Sequence, residues 1–156
     1  MARPCHALRL PDDTAERDAR ATGAGRIAGV DEVGRGPLAG PVTAAAVCLD
    51  PDRVPDGVRD SKRLAPARRR AIAAALHDCA DVGIGHASVA EIERLNILGA
   101  AHLAMRRALD ALPVPAEFAL IDGRSAPPGL SLPYRCLVRG DATSLSIAAA
   151  SIVAKV

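Results

Sequence analysis

The sequence predicts an α/β fold, one central five-stranded sheet flanked by helices. Three observations predict it. Apolar runs of strand length recur along the chain, alanine-rich segments of helical length follow several of them, and glycine and proline mark the joints. With 156 residues, 49% of them apolar, the chain suits one domain with its own core.

Residues 1–25 mix Arg, Asp, Ala and Gly without periodicity and read as a poorly ordered leader, so the domain is taken to begin at Arg26. Arg26 to Asp31 reads as a first strand and Val42 to Leu49 as a second. The Gly/Pro loop between them is short enough for antiparallel pairing. Pro66 sits where a helix can start, and Ala67 to Cys79 continues it. A third strand follows between Ala80 and Ala87. Ser88-Val89-Ala90-Glu91 fits a capping box opening a helical region that runs to Leu112, interrupted around Asn96 and Gly99, with Pro113 and Pro115 beyond it. Phe118 to Asp122 and Tyr134 to Val138 complete the strands, and Ser144 to Val156 reads as a buried helix.

Composition narrows the function. Aromatics make up 1%, with Phe118 and Tyr134 the only rings, which disfavours stacking bases on an aromatic platform. Net charge is +2, but Arg53 to Arg70 holds seven basic residues against two acids: a phosphate-facing patch or simply a solvated helix face. Cys5, Cys48, Cys79 and Cys136 have no zinc-ligand spacing and read as reduced, mostly buried thiols. Neither a signal-peptide core nor an apolar stretch of membrane-spanning length is present, so a cytoplasmic protein with no membrane partner is expected.

Asp31 ends the run Ile27-Ala28-Gly29-Val30, and Asp122 ends Phe118-Ala119-Leu120-Ile121. If these strands are neighbours, their carboxylates converge. Buried carboxylates repel one another, so such a cluster makes sense chiefly around cations, and an all-oxygen donor set favours Mg²⁺ or Mn²⁺. Each carboxylate alone could instead be a strand-end residue bonded to local backbone. Glu32 can join Asp31 only if the strand twists or ends there, because successive side chains alternate faces. Asp141 precedes the last helix, where it can serve as an N-cap or hold a metal beside a phosphate backbone. The Gly34-Arg35-Gly36 turn matches a loose dinucleotide pattern, but Pro37 and Pro41 oppose the helix that pattern needs. A loop whose bare backbone approaches a ligand, such as a sugar hydroxyl, is the better reading.

Taken together, Gly29 to Val42, Asp60-Ser61-Lys62-Arg63-Leu64, Arg94-Leu95-Asn96-Ile97-Leu98, Ile121-Asp122-Gly123, and Gly140-Asp141 followed by Ile147 to Val156 resemble the type 2 ribonuclease H family, specifically ribonuclease HII. The resemblance implies a ribonuclease H-like fold over residues 26–156. It implies an endonuclease that cuts RNA in RNA/DNA hybrids and on the 5′ side of single ribonucleotides in duplex DNA, leaving 3′-hydroxyl and 5′-phosphate ends. Asp31, Glu32, Asp122 and Asp141 match the family's metal-binding acids, serving two divalent ions. Gly34, Arg35 and Gly36 match the loop that reads the 2′-hydroxyl, and Lys62 lies in a block resembling a phosphate-contacting element. Arg35 between the glycines favours HII over the related HIII. A monomer is expected. Members of the family continue past the final block into further helices, which are expected to be absent here. A second reading is therefore a catalytically inactive fragment with at most weak nucleic-acid binding, and a third, less favoured, is a nucleotide-binding regulator.

Overall fold

The computed structural model describes residues 10–36 and 40–156. All five expected strands form: β1 (Ile27–Val33), β2 (Val42–Cys48), β3 (Asp81–Ala87), β4 (Phe118–Asp122) and β5 (Tyr134–Leu137). They make one sheet in the order β3-β2-β1-β4-β5. β1 pairs antiparallel with β2 and β2 with β3, whereas β4 runs parallel to β1 and β5 parallel to β4. β1 is therefore the central strand, and its carboxyl end lies beside that of β4.

The helices are α1 (Thr14–Ala21), α2 (Pro66–Cys79), α3 (Val89–Asp110) and α4 (Leu145–Ala154). Small side chains explain how they pack. On one face, Ala100, Ala101, Ala104, Met105 and Ala108 of α3 meet Ala28, Val30, Ala44, Ala46, Ala119 and Ile121 of the sheet. On the other, α4 and the Ile72, Ala73 and Leu76 positions of α2 cover Ala45 and Val47. Every residue of α4 is buried. Its approach to β1 is set by Gly29, where a methyl group would lie 2.1 Å from the carbonyl carbon of Ser146.

Local signals account for the helix ends. The capping box is present: the Glu91 amide donates to Ser88 Oγ (3.2 Å), and the Ser88 amide donates to the Glu91 carboxylate (2.9 Å). The expected interruption of α3 falls at Asn96, at φ 63° and ψ 175°. There Asn96 Oδ1 accepts the Gly99 amide at 2.9 Å and restarts the helix as a cap would.

Three sequence expectations need correction. Thr14–Ala21 is a helix rather than part of a poorly ordered leader; residues 1–9 lie outside the described residues. Glu16 and Ala19 of α1 are buried, with Ala15 partly buried beside them. The thiols are free at Cys48, Cys79 and Cys136, but only Cys48 is fully buried; Cys5 lies outside the described residues. The basic run divides, because several arginines brace loops: Arg59 donates to the Pro11 carbonyl, Arg68 to Asp56 and Arg69 to Leu64.

Candidate active site

Strand pairing brings the first two acids together. Val30 is in register with Ile121 on parallel strands, so the next residues, Asp31 and Asp122, stand side by side at the ends of two buried apolar runs. Asp31 is 7% exposed. Burial, reinforced by the charges of Asp122 and Glu32, pushes its carboxyl up to about 8, against the opposing hydrogen bonds from the Glu32 amide and the Ser151 hydroxyl. Asp122 Oδ1 accepts the Gly140 amide at 2.7 Å, which ties β4 to the turn carrying Asp141.

β1 continues through Val33, so alternation sends Glu32 to the opposite side of the strand from Asp31. Its charge is nevertheless felt by Asp31, and it feels Asp122 in turn. Burial raises the Glu32 carboxyl above its usual range, while Arg35 Nη1, 3.1 Å from Oε1, opposes the shift. The other oxygen, Oε2, is buried without a hydrogen-bond partner. Gly34 makes the return possible. It has φ +94°, and a methyl group there would lie 2.7 Å from the Pro41 carbonyl oxygen. The turn that follows opens onto a cleft lined by Gly34, Arg35, Gly36, Gly40, Ile92 and Ile97. β2 begins at Val42, which leaves no room for the helix of a dinucleotide fingerprint.

Asp141 is not the cap of α4. That position belongs to Ser144, whose hydroxyl accepts the Ile147 amide at 3.2 Å, while Asp141 sits in the short 3₁₀ turn Gly140–Ala142. Lys62, from the 3₁₀ segment Val58–Arg63, places Nζ 3.7 Å from Asp141 Oδ2. Lys62 is thus paired with Asp141 rather than set on a detached basic face.

The donor set fits a hard divalent cation: carboxylate oxygens only, one of them buried and unpartnered, and one carboxyl that burial and like charge disfavour in its ionised form. Among the described residues no group of three or more His, Cys, Asp or Glu side chains is placed to hold a metal ion together. Arg35 and Lys62 hold Glu32 and Asp141 instead, and gathering the acids around an ion means exchanging these pairs for ligation.

The sequence reading did not single out Ser151 or Glu16. Ser151 lies on α4 and helps lower the Asp31 carboxyl, and its signal was one of two hydroxyls, with Ser146, inside an apolar helix. A separate cleft at the other end of the sheet is lined by Arg26, Cys48, His77 and the aspartates Asp50, Asp78 and Asp81. Arg26 is committed to Asp81 there, and burial pushes the Cys48 thiol up to about 11.

Residues 28–156 match the family model described as ribonuclease HII. The chain belongs to the ribonuclease HII family. It is similar to the ribonuclease HII of Cereibacter sphaeroides, 62% identical over 149 residues, covering 96% of this chain and 70% of that one. The ribonuclease HII of a Jannaschia species is 60% identical over 146 residues, covering 94% and 71%. Among solved structures, ribonuclease H2 from Pyrococcus horikoshii OT3 superposes with a TM-score of 0.70 at 28% identity, over 83% of this chain and 70% of that one. The ribonuclease HII family membership makes the chain a phosphodiester hydrolase, a ribonuclease H acting on the RNA of RNA/DNA hybrids. Its sheet and helices are those of the ribonuclease H-like fold.

Proposed function

We propose that this enzyme, besides cutting the RNA strand of hybrids, incises DNA duplexes on the 5′ side of single embedded ribonucleotides, leaving 3′-hydroxyl and 5′-phosphate ends. The observation that carries the reading is that Asp31 and Asp122 each come one residue after the paired Val30 and Ile121 of adjacent parallel strands, with the Gly34-Arg35-Gly36 turn directly after β1. Asp31, Glu32, Asp122 and Asp141 are the residues that would hold Mg²⁺ or Mn²⁺. Two such ions, when bound, supply activation of the attacking water and stabilisation of the leaving oxygen.

The chain's own residues do the rest. Gly34 and Gly36 leave the backbone bare for a ribose 2′-hydroxyl, the group that distinguishes RNA from DNA. Arg35 is half-exposed and anchored by Glu32, which keeps a guanidinium at the edge of the same turn for the junction phosphate. Lys62 is exposed over more than half its side chain and supplies a point charge for a backbone phosphate once it leaves Asp141. The Glu32 and Gly140 amides orient Asp31 and Asp122 by hydrogen bonds, and Ser151 helps lower the Asp31 carboxyl. The catalytic domain takes in residues 26–156 together with α1, works as a monomer and acts in the cytoplasm. No helix among the described residues is long and apolar enough to cross a membrane.

The test is a labelled duplex carrying one ribonucleotide, incubated with Mg²⁺ or Mn²⁺ and mapped at single-nucleotide resolution. One cut 5′ of the ribonucleotide, with an all-DNA duplex left intact, supports the reading. Cleavage of a continuous hybrid without any cut at the single ribonucleotide overturns it.

A further inference from the structure

Buried against the start of α4 is a carboxylate that the catalytic reading does not use. Glu16 of α1 is 3% exposed, and its Oε1 accepts three hydrogen bonds: from the Ser144 hydroxyl (2.5 Å), the Ser146 hydroxyl (2.6 Å) and the Ser146 amide (2.9 Å). The preceding residues add a backbone clasp. The Asp12 amide donates to the Thr143 carbonyl (3.2 Å), and the Leu145 amide donates to the Asp12 carbonyl (3.0 Å). A helix leaves its first amides without internal partners. Here the amide of Leu145 goes to Asp12, that of Ser146 to Glu16 and that of Ile147 to Ser144, so two of three are satisfied by the segment ahead of the sheet. A negative charge at this end also complements the helix dipole.

The clasp holds two elements of the site at once. Just before Ser144 lies the turn Gly140–Ala142 with Asp141, and the Ser144 amide donates back to the Gly140 carbonyl at 2.7 Å. On the other side, Arg59 Nη1 donates to the Pro11 carbonyl at 2.8 Å, anchoring the 3₁₀ segment that carries Lys62. Residues 11–16 therefore join the element bearing Lys62 to the element bearing Asp141, and those two side chains face each other at 3.7 Å.

We infer that Glu16 is a positioning residue: through Ser144 and Ser146 it fixes the Asp141 turn relative to Asp31 and Asp122. The inference rests on Asp141 being a site carboxylate. A group that orients a ligand from behind changes metal affinity or activity by about ten- to a hundredfold when it is lost.

The experiment compares Glu16→Ala, Glu16→Gln, Ser146→Ala and Asp141→Asn in the full chain. Mn²⁺ binding is measured directly by the loss of free-ion electron paramagnetic resonance signal, and kcat and KM are measured on a hybrid. Glu16→Ala should weaken Mn²⁺ binding and lower kcat by about tenfold each, leaving KM for the hybrid within about twofold. Glu16→Gln retains an acceptor oxygen and should recover most of both. If Glu16→Ala does not fold, Ser146→Ala, which removes one hydroxyl donor, must give the same pattern at smaller size. A folded Glu16→Ala, or in its place Ser146→Ala, with wild-type Mn²⁺ binding and kcat overturns the inference. Wild-type turnover by Asp141→Asn would overturn the underlying assignment of Asp141 instead, so the two failures are distinguishable.

Discussion

In the proposed function Lys62 and Arg35 each do two jobs with one charge. Both neutralise an acid of the site, Asp141 and Glu32 respectively, and both remain exposed enough to meet a phosphate. In the proposed function each of these cations gives way to substrate and metal. For Lys62 this gives a specific expectation. Lys62→Ala should weaken hybrid binding across sequences and reduce the slope of log K against log salt by about 1, as loss of one phosphate contact requires. Fluorescence anisotropy without divalent ions measures this, and an unchanged slope would remove Lys62 from the substrate surface. Arg35 was visible in the sequence through its glycine neighbours. The Lys62–Asp141 proximity was not, because it depends on how the segment Val58–Arg63 folds back over the start of α4.

At the scale of elements, the site depends on α4 lying close to β1 and on α3 holding the opposite face. Gly29 allows the first. Gly29→Ala should destabilise the protein by about 3 kcal/mol or more, since the methyl meets backbone that cannot yield locally. Urea unfolding reads this directly, and a change below about 0.5 kcal/mol would contradict the packing described. The start of α3 is fastened by Glu91, which caps Ser88 and also meets Arg107 at 2.7 Å. Arg107 and the Ser88 amide hold its carboxyl down at about 2, from an ordinary value of 4.5. A depressed carboxyl stabilises the fold above its unfolded value and loses that contribution as pH falls through its folded value. The stability difference between wild type and Glu91→Gln should thus be constant above about pH 5 and shrink as pH falls from about 4.5 towards 2. A difference independent of pH over that window would show that the pair does not hold α3. The capping box and the break near Asn96 were both legible in the sequence because their signals are local. The docking of α1 was not, since a buried glutamate bonded to serines well over a hundred positions away leaves no local signal.

For the whole molecule, the sheet order is what makes a site out of scattered acids. Two apolar runs ending in aspartate are only suggestive until β4 is inserted beside β1 in parallel, which puts both ends on one edge of the core. Strand content, the antiparallel start and the five-strand count followed from period and turn residues. The parallel placement of β4 beyond β1 depends on long-range packing by α3 and α4, which no local pattern encodes. The same limit explains Glu32. Its face could be stated as a condition from alternation alone, but its coupling to Asp122 only appears once the strands are side by side. The measurement that bears most directly on the central claim is the turnover of Asp122→Asn on a duplex with one embedded ribonucleotide, with Mg²⁺ or Mn²⁺ present and its fold checked by unfolding. Loss of a carboxylate that stabilises developing charge predicts a fall in kcat of at least about a hundredfold, whereas cleavage near the wild-type rate by a folded Asp122→Asn would contradict the assignment of this site.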